Sequence, residues 1–268
     1  MGCIDSIFSE LKASNRKALM PFVCAGYPGL HSMPDILLAL QDAGASVVEV
    51  GIPFSDPIAD GPVIAAAMHR AIQSGCTPGL VLDQVASVRE RIRLGLVAMV
   101  SISIMQRLGA NSGIASAVAR FRDAGFDGFI FPDLPLEESE AWRSAAGEAG
   151  LSCTFLIAPT TPLDRAAAIA KASTGFLYVL ARSGITGERS ELPEISGRVS
   201  ELRGITDLPI AVGFGISSPD QVRHVVQSAD AAIVGSALIR RLSEVGNDGS
   251  PAQVAGDFCR QLCAGLGT

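Results

Sequence analysis

The sequence is poor in the residues that most enzymes use for nucleophilic or metal chemistry. It has three histidines, His31, His69 and His224, and none sits in a triad or ligand pattern. Its six cysteines, Cys3, Cys24, Cys76, Cys153, Cys259 and Cys263, form no Cys-x-x-Cys pair. Cys259 and Cys263 are one helical turn apart, which alone is a poor metal site, so packed, reduced thiols are expected. Acid–base chemistry in such a chain falls to carboxylates. Basic residues are also in the minority: the net charge of −6 argues against a nucleic-acid groove or a basic membrane face, while leaving room for a local phosphate site. No apolar run reaches membrane-spanning length, and the start "MGCIDSIFSELKASNRK" has no secretory apolar block, so a cytoplasmic protein is expected. That start matches a Met-Gly-x-x-x-Ser acylation pattern, but Ile4, Ile7, Phe8 and Leu11 fall at helical spacing and are better read as a docking face.

What is abundant is a repeated phrase. "LQDAGASVVEVG", "FRDAGFDGFIFPD", "GEAGLSCTFLIAP" and "VQSADAAIVGS" each end a helix in Ala-Gly or Ala-Asp and then begin an apolar strand. Glycine supplies a left-handed helix end, and continuously apolar strands suit a sheet covered on both faces. Four more runs bring the strands to eight, starting near Leu19, Val47, Leu96, Gly128, Cys153, Phe176, Pro209 and Ala231. Helices are predicted over 112–124, 137–149 and 219–228, the last with a capping box of Ser218 and Gln221 and with Pro219 in its first turn. An extra helix, 78–91, fits the long gap between the second and third strands, and one last amphipathic helix follows "GNDGSP". The alternation predicts a single-domain (β/α)8 TIM barrel over residues 1–268 with an N-terminal docking helix. An open doubly wound sheet is the other architecture it allows.

Reacting groups of such barrels sit at the carboxyl ends of the strands. Five strands here end in polar or glycine-rich segments: Glu49-Val50-Gly51 with the Asp56/Asp60 loop, "FPDLPLEES" with Asp133, Tyr178 with "ARSGITG", "GFGISS" and "GSA". The last three predict a phosphate cradle built from backbone, with Gly184 and Gly187, Gly213 and Gly215, and Gly235 and Ser236 opening a short helix. Glycines that only make tight turns are the bland alternative. Glu49 interrupts an apolar strand, so burial should raise its pKa toward the range useful for proton transfer. Asp60 lies on the loop beyond and is expected to stay hydrated and ionised, giving two carboxylates in two environments. A buried ion pair for Glu49 and turn chemistry for Asp60 are the structural alternatives; Asp56, before a proline, is assigned to the turn.

With these residues in view, the chain resembles the tryptophan synthase α-subunit family nearly end to end. "EVGIPFSDPIADGP" is a long and specific match, and "PFVCAGYPG", "FPDLPLEES", "FLYVLARSGITG", "VGFGISSP" and "AIVGSALI" follow in family order. The resemblance implies cleavage of indole-3-glycerol phosphate to indole and glyceraldehyde 3-phosphate, with no cofactor in this chain. It implies a pyridoxal-phosphate-dependent β-subunit partner in an α2β2 heterotetramer. It further implies that Glu49 is the acid–base carboxylate and that Asp60 holds the indole N–H. Phe22 and Tyr178 would flank the ring, Thr186 would close over the loop carboxylate, and Gly187, Phe214, Gly215, Gly235 and Ser236 would surround the phosphate. One segment departs: "MVSISIMQRLG" stands where the family reads Met-x-Tyr-x-Asn-Pro, with Ser101 near the tyrosine, Ser103 near the asparagine and Ile104 near the proline. The missing ring should open space beside the indole unless Met99 or Met105 fills it. A stand-alone lyase releasing free indole, a non-catalytic partner-activating subunit and another phosphate-handling barrel are the competing readings.

Overall fold

The computed structural model describes residues 2–57, 60–181, 195–213, 215–246 and 249–267. Its strands are β1 (Ala18–Cys24), β2 (Val47–Gly51), β3 (Gly95–Met99), β4 (Gly128–Ile130), β5 (Ser152–Thr154), β6 (Leu156–Ile157), β7 (Leu177–Leu180), β8 (Ile210–Gly213) and β9 (Ala231–Val234). Every neighbouring pair is parallel, in the order β5-β4-β3-β2-β1-β9-β8-β7-β6. The two ends of that order, β5 and β6, are parted in the chain only by Phe155, so the sheet closes on itself. The result is the (β/α)8 barrel expected from the alternation, with its fifth strand split.

The apolar strands are explained by what covers them. Every residue of β1, β2, β8 and β9 is buried, because helices pack outside and side chains of facing strands fill the inside. The helix α1 (Cys3–Ala13) closes the amino end of the barrel. Its Ile4, Phe8 and Leu11 are buried in a cluster with Val47, Val97, Phe176 and Ala231, and the Phe8 and Phe176 rings lie 5.9 Å apart. Gly95 makes room for this plug: a Cβ there would lie 2.5 Å from Ile4 Cδ1. The docking face read from the Ile4–Leu11 spacing is therefore a barrel stopper.

Two helices, α2 (Pro62–Gln73) and α3 (Pro78–Val88), separate β2 from β3. The second is the extra helix of the sequence reading, and a short 3-10 turn, Arg89–Arg91, extends it to the expected end. Two more, α4 (Ile102–Gly109) and α5 (Gly113–Ala124), follow β3. Only the second was expected. The first is set by Ser101, whose hydroxyl accepts a hydrogen bond from the Ser103 N–H at 3.2 Å as an N-cap. Gly125 ends α5 at φ +102°, the left-handed cap that the Ala-Gly phrase predicts. The last two helices are α6 (Ser236–Ser243), directly after β9, and α7 (Pro251–Cys263). Among the described residues no helix is long and apolar enough to cross a membrane.

Candidate active site

The carboxyl mouth of the barrel is built by the inward residues of the strands. Period two puts Phe22 of β1, Glu49 and Gly51 of β2, and Val97 and Met99 of β3 on the inner face. Phe22, Glu49 and Val97 stand at one level, since Phe22 pairs with Glu49 and Glu49 with Val97. Gly51 lets the Phe22 ring lie across the mouth: a Cβ there would sit 2.5 Å from Phe22 Cζ. Phe22, Glu49 and Met99 border a cavity completed by Asp60, Ile64, Tyr178, Gly215, Ile216, Ile233, Gly235, Ser236 and Ala237.

Glu49 is fully buried, and neither carboxyl oxygen has a hydrogen-bond partner. Burial pushes its pKa well above the usual carboxylate range. An ion pair, the structural alternative for this residue, is absent among the described residues. A buried carboxyl without partners is costly, and its place in a cavity makes Glu49 a candidate functional group.

Asp60 corrects one expectation. It is half-buried rather than hydrated, and burial pushes its carboxyl up to about 6. The loop after β2 turns so that the Asp60 N–H donates to the Pro57 carbonyl at 3.0 Å, and this brings the side chain over the cavity instead of out to water. Asp56 behaves as read from the sequence: it is exposed and its Oδ2 accepts the Ser55 hydroxyl at 2.9 Å. Tyr178, on β7, is buried at the opposite wall. Its hydroxyl pKa is raised well above the ordinary value by burial first, and then by the Glu49 and Asp60 charges.

At one end of the cavity, Gly235 precedes α6 and Ser236 opens it. The Ser236 hydroxyl is buried and unpartnered, and no lysine or arginine lines the cavity among the described residues. A free hydroxyl beside the first N–H groups of a helix suits a phosphate held by backbone. Gly215 has φ +80°, a conformation that a side chain would strain. Gly213 does something different from the ligand approach expected of it: a Cβ there would meet the Tyr178 hydroxyl at 2.8 Å. Thr186, Gly187 and Phe214, together with Gly184, lie outside the described residues.

The departing segment forms its own network. The Ser101 hydroxyl donates to Asp133 Oδ2 at 2.6 Å, and the Ile102 N–H donates to Asp133 Oδ1 at 2.9 Å. Asp133 thus caps α4 from the end of β4. Met105 is fully buried in the core under the helices, so only Met99 reaches the cavity. Sequence reasoning named Met99 only as a possible filler beside the ring and passed over Ile64 and Ile233 as site residues. The inward positions of Met99 and Ile233 were available from the strand period, but apolar strand residues look alike whether they line a core or a site.

Fold and site together define a (β/α)8 barrel that holds two environmentally distinct carboxylates at its carboxyl mouth. The tryptophan synthase alpha chain family model matches residues 8–261. The tryptophan synthase alpha chain of Prochlorococcus marinus (strain MIT 9313) is 43% identical over 97% of this chain and 93% of its own length. That of Synechococcus sp. (strain CC9902) is 44% identical over 95% and 94%. The crystal structure of tryptophan synthase subunit alpha from Legionella pneumophila str. Paris superposes with a TM-score of 0.90 at 31% identity, covering 99% of this chain and 98% of that one. Tryptophan synthase from M. tuberculosis in its aminoacrylate-bound form gives 0.86 at 30% identity over the full length of both chains. The chain belongs to the tryptophan synthase alpha chain family, lyases of tryptophan biosynthesis. An alpha chain implies a beta-subunit partner.

Proposed function

We propose that this chain cleaves indole-3-glycerol phosphate to indole and glyceraldehyde 3-phosphate by a retro-aldol reaction. The observation that carries the reading is Glu49: a buried carboxyl with both oxygens unpartnered, opening on a cavity that Asp60 shares. Burial raises its pKa and so favours the protonated form that can act as an acid. Protonated Glu49 gives its proton to indole C3, which places a positive charge on the ring. Asp60, ionised above about pH 6, stabilises that charge at the N1–H. The Glu49 carboxylate then takes the C3′ hydroxyl proton. The bond between C3 and C3′ breaks, its electron pair returns to the ring, and the C3′ carbon leaves as an aldehyde. Glu49 ends the cycle protonated, so the balance needs no cofactor in this chain.

Phe22 and Tyr178 would hold the ring, and Gly215, Gly235 and Ser236 the phosphate, with Thr186, Gly187 and Phe214 in the roles that the family match suggests. The partner in this reading is a pyridoxal-phosphate-dependent beta subunit that consumes the indole within an α2β2 assembly in the cytoplasm. The test is indole release from indole-3-glycerol phosphate by the purified chain, with and without a beta subunit. Turnover that rises on adding the partner supports the reading, and no indole release under either condition removes it.

A further inference from the structure

The candidate site does not end at Met99. Met99 and Asp60 also form a wall of a second cavity that continues toward the ends of β3 and β4. Ile52, Phe54, Met68 and Pro132 make most of its surface apolar, and Ser101 and Asp133 form its floor. That floor is polar in composition but not in demand. The Ser101 hydroxyl and the Ile102 N–H both donate to Asp133, and the Ser103 N–H donates to Ser101 Oγ. With those groups paired to each other, an apolar group resting on this floor takes no partner from the Ser101 hydroxyl or from the Ile102 and Ser103 N–H groups.

On the reading of the site given above, Asp60 fixes the N1 edge of the indole and the Gly235–Ser236 turn fixes the phosphate end. The benzo carbons on the N1 side then face Met99 and the second cavity. We infer that this cavity is an extension of the ring site that admits indole-3-glycerol phosphates with an apolar substituent at ring position 6, and that Met99 is the residue setting how far the substituent enters. Methionine suits such a wall because its unbranched thioether can change rotamer to make room. The inference rests on the proposed reaction.

The experiment compares kcat/KM for indole-3-glycerol phosphate and its 6-methyl analogue. In the unaltered chain the 6-methyl substrate is expected to match or exceed the parent, with a gain of up to about four-fold for one buried methyl group. Ser103→Trp should then separate the two substrates. Ser103 is exposed at the start of α4 and lines only the second cavity; its N–H bond to Ser101 survives the change. The indole of the new tryptophan should fill the extension, lowering kcat/KM for the 6-methyl substrate at least ten-fold and leaving the parent within about two-fold. The inference is overturned if the unaltered chain cleaves the parent but discriminates more than ten-fold against the 6-methyl substrate, or if Ser103→Trp slows both substrates alike. Calorimetric binding of the two non-cleavable propanol-phosphate analogues, with and without the 6-methyl group, decides the same question without turnover. Failure of the chain to cleave even the parent would count against the proposed reaction, and the binding pair would still stand or fall by itself.

Discussion

The Tyr178 hydroxyl and the Gly213 Cα are packed so closely that a methyl group on Gly213 would lie 2.8 Å from the hydroxyl oxygen and 3.3 Å from the ring. The two residues sit on adjacent strands, β7 and β8, with Gly213 two residues beyond Ala211, the register partner of Tyr178. Gly213 is therefore the space that allows Tyr178 its place in the cavity wall. Gly213→Ala should push the ring toward the substrate and lower kcat/KM at least ten-fold. The tightest contact is with the hydroxyl, ahead of Ile233 Cβ at 3.1 Å and the ring at 3.3 Å, so Gly213→Ala with Tyr178→Phe should recover part of that loss. Kinetics of the four members of this cycle measure the coupling; additive losses would show that Gly213 acts through something other than Tyr178.

The raised pKa of Asp60 has two consequences of opposite sign. The folded carboxyl titrates at about 6, above the ~3.9 of an unfolded chain. The group therefore favours folding most below about pH 4, and that contribution is lost as pH rises through 6. Asp60→Asn should raise Tm above pH 6 and change it little near pH 4. Activity runs the other way, because the ring charge needs the anion: kcat/KM should fall as pH drops through about 6, and Asp60→Asn should abolish that limb together with most of the turnover. Thermal scans and pH–rate profiles of the same two proteins check both.

The phosphate end can be tested without damaging the fold. Alanine at Gly215 is strained by its φ of +80°, so a loss there would be ambiguous. At Gly235 the nearest atom to a new Cβ is Ile64 Cδ1 at 3.6 Å, so Gly235→Ala should keep Tm while raising KM by crowding the backbone N–H groups. Ser236→Ala removes one hydroxyl and should raise KM less. Steady-state kinetics with a parallel melting curve separate these outcomes.

The Ser101–Asp133 cap is a stability element at the mouth. Ser101→Ala removes the N-cap of α4 and a hydrogen bond to a carboxylate, at a cost of about 1 kcal/mol, which for a chain of this size lowers Tm by about 2–4 °C. The same cap replaces the segment through which the beta subunit is expected to communicate. A beta subunit from a species with the usual Tyr-x-Asn-Pro segment should therefore activate this chain less than its own partner does. A mix-and-match assay, repeated with the paired changes Ser101→Tyr and Ser103→Asn, reads this directly.

The strands were legible because a parallel barrel buries both faces, and apolar runs such as Val47–Val50 after an Ala-Gly helix end carry that pattern locally. Glu49 was legible for the same reason, as the one carboxylate within such a run. The α4 helix was not, since its first turn depends on Asp133 reaching across from β4, thirty-one residues away from Ile102. Asp60 was placed correctly on its loop but given too much water, because loop position says little about which way the side chain turns. The break at Phe155 and the pairing of Gly213 with Tyr178 are likewise tertiary: both depend on neighbouring strands rather than on the residues beside them in the chain.

The central claim is that Glu49 moves the protons of carbon–carbon cleavage, and Glu49→Gln tests it most directly. Glutamine keeps the size and cannot exchange a proton, and it removes the cost of holding a carboxyl without partners, so Tm should hold or rise. Indole release under saturating indole-3-glycerol phosphate should fall by about a hundred- to ten-thousand-fold, the usual worth of a positioned acid–base group, with affinity for a non-cleavable analogue retained. Indole release within about two-fold of the unaltered chain would contradict the account.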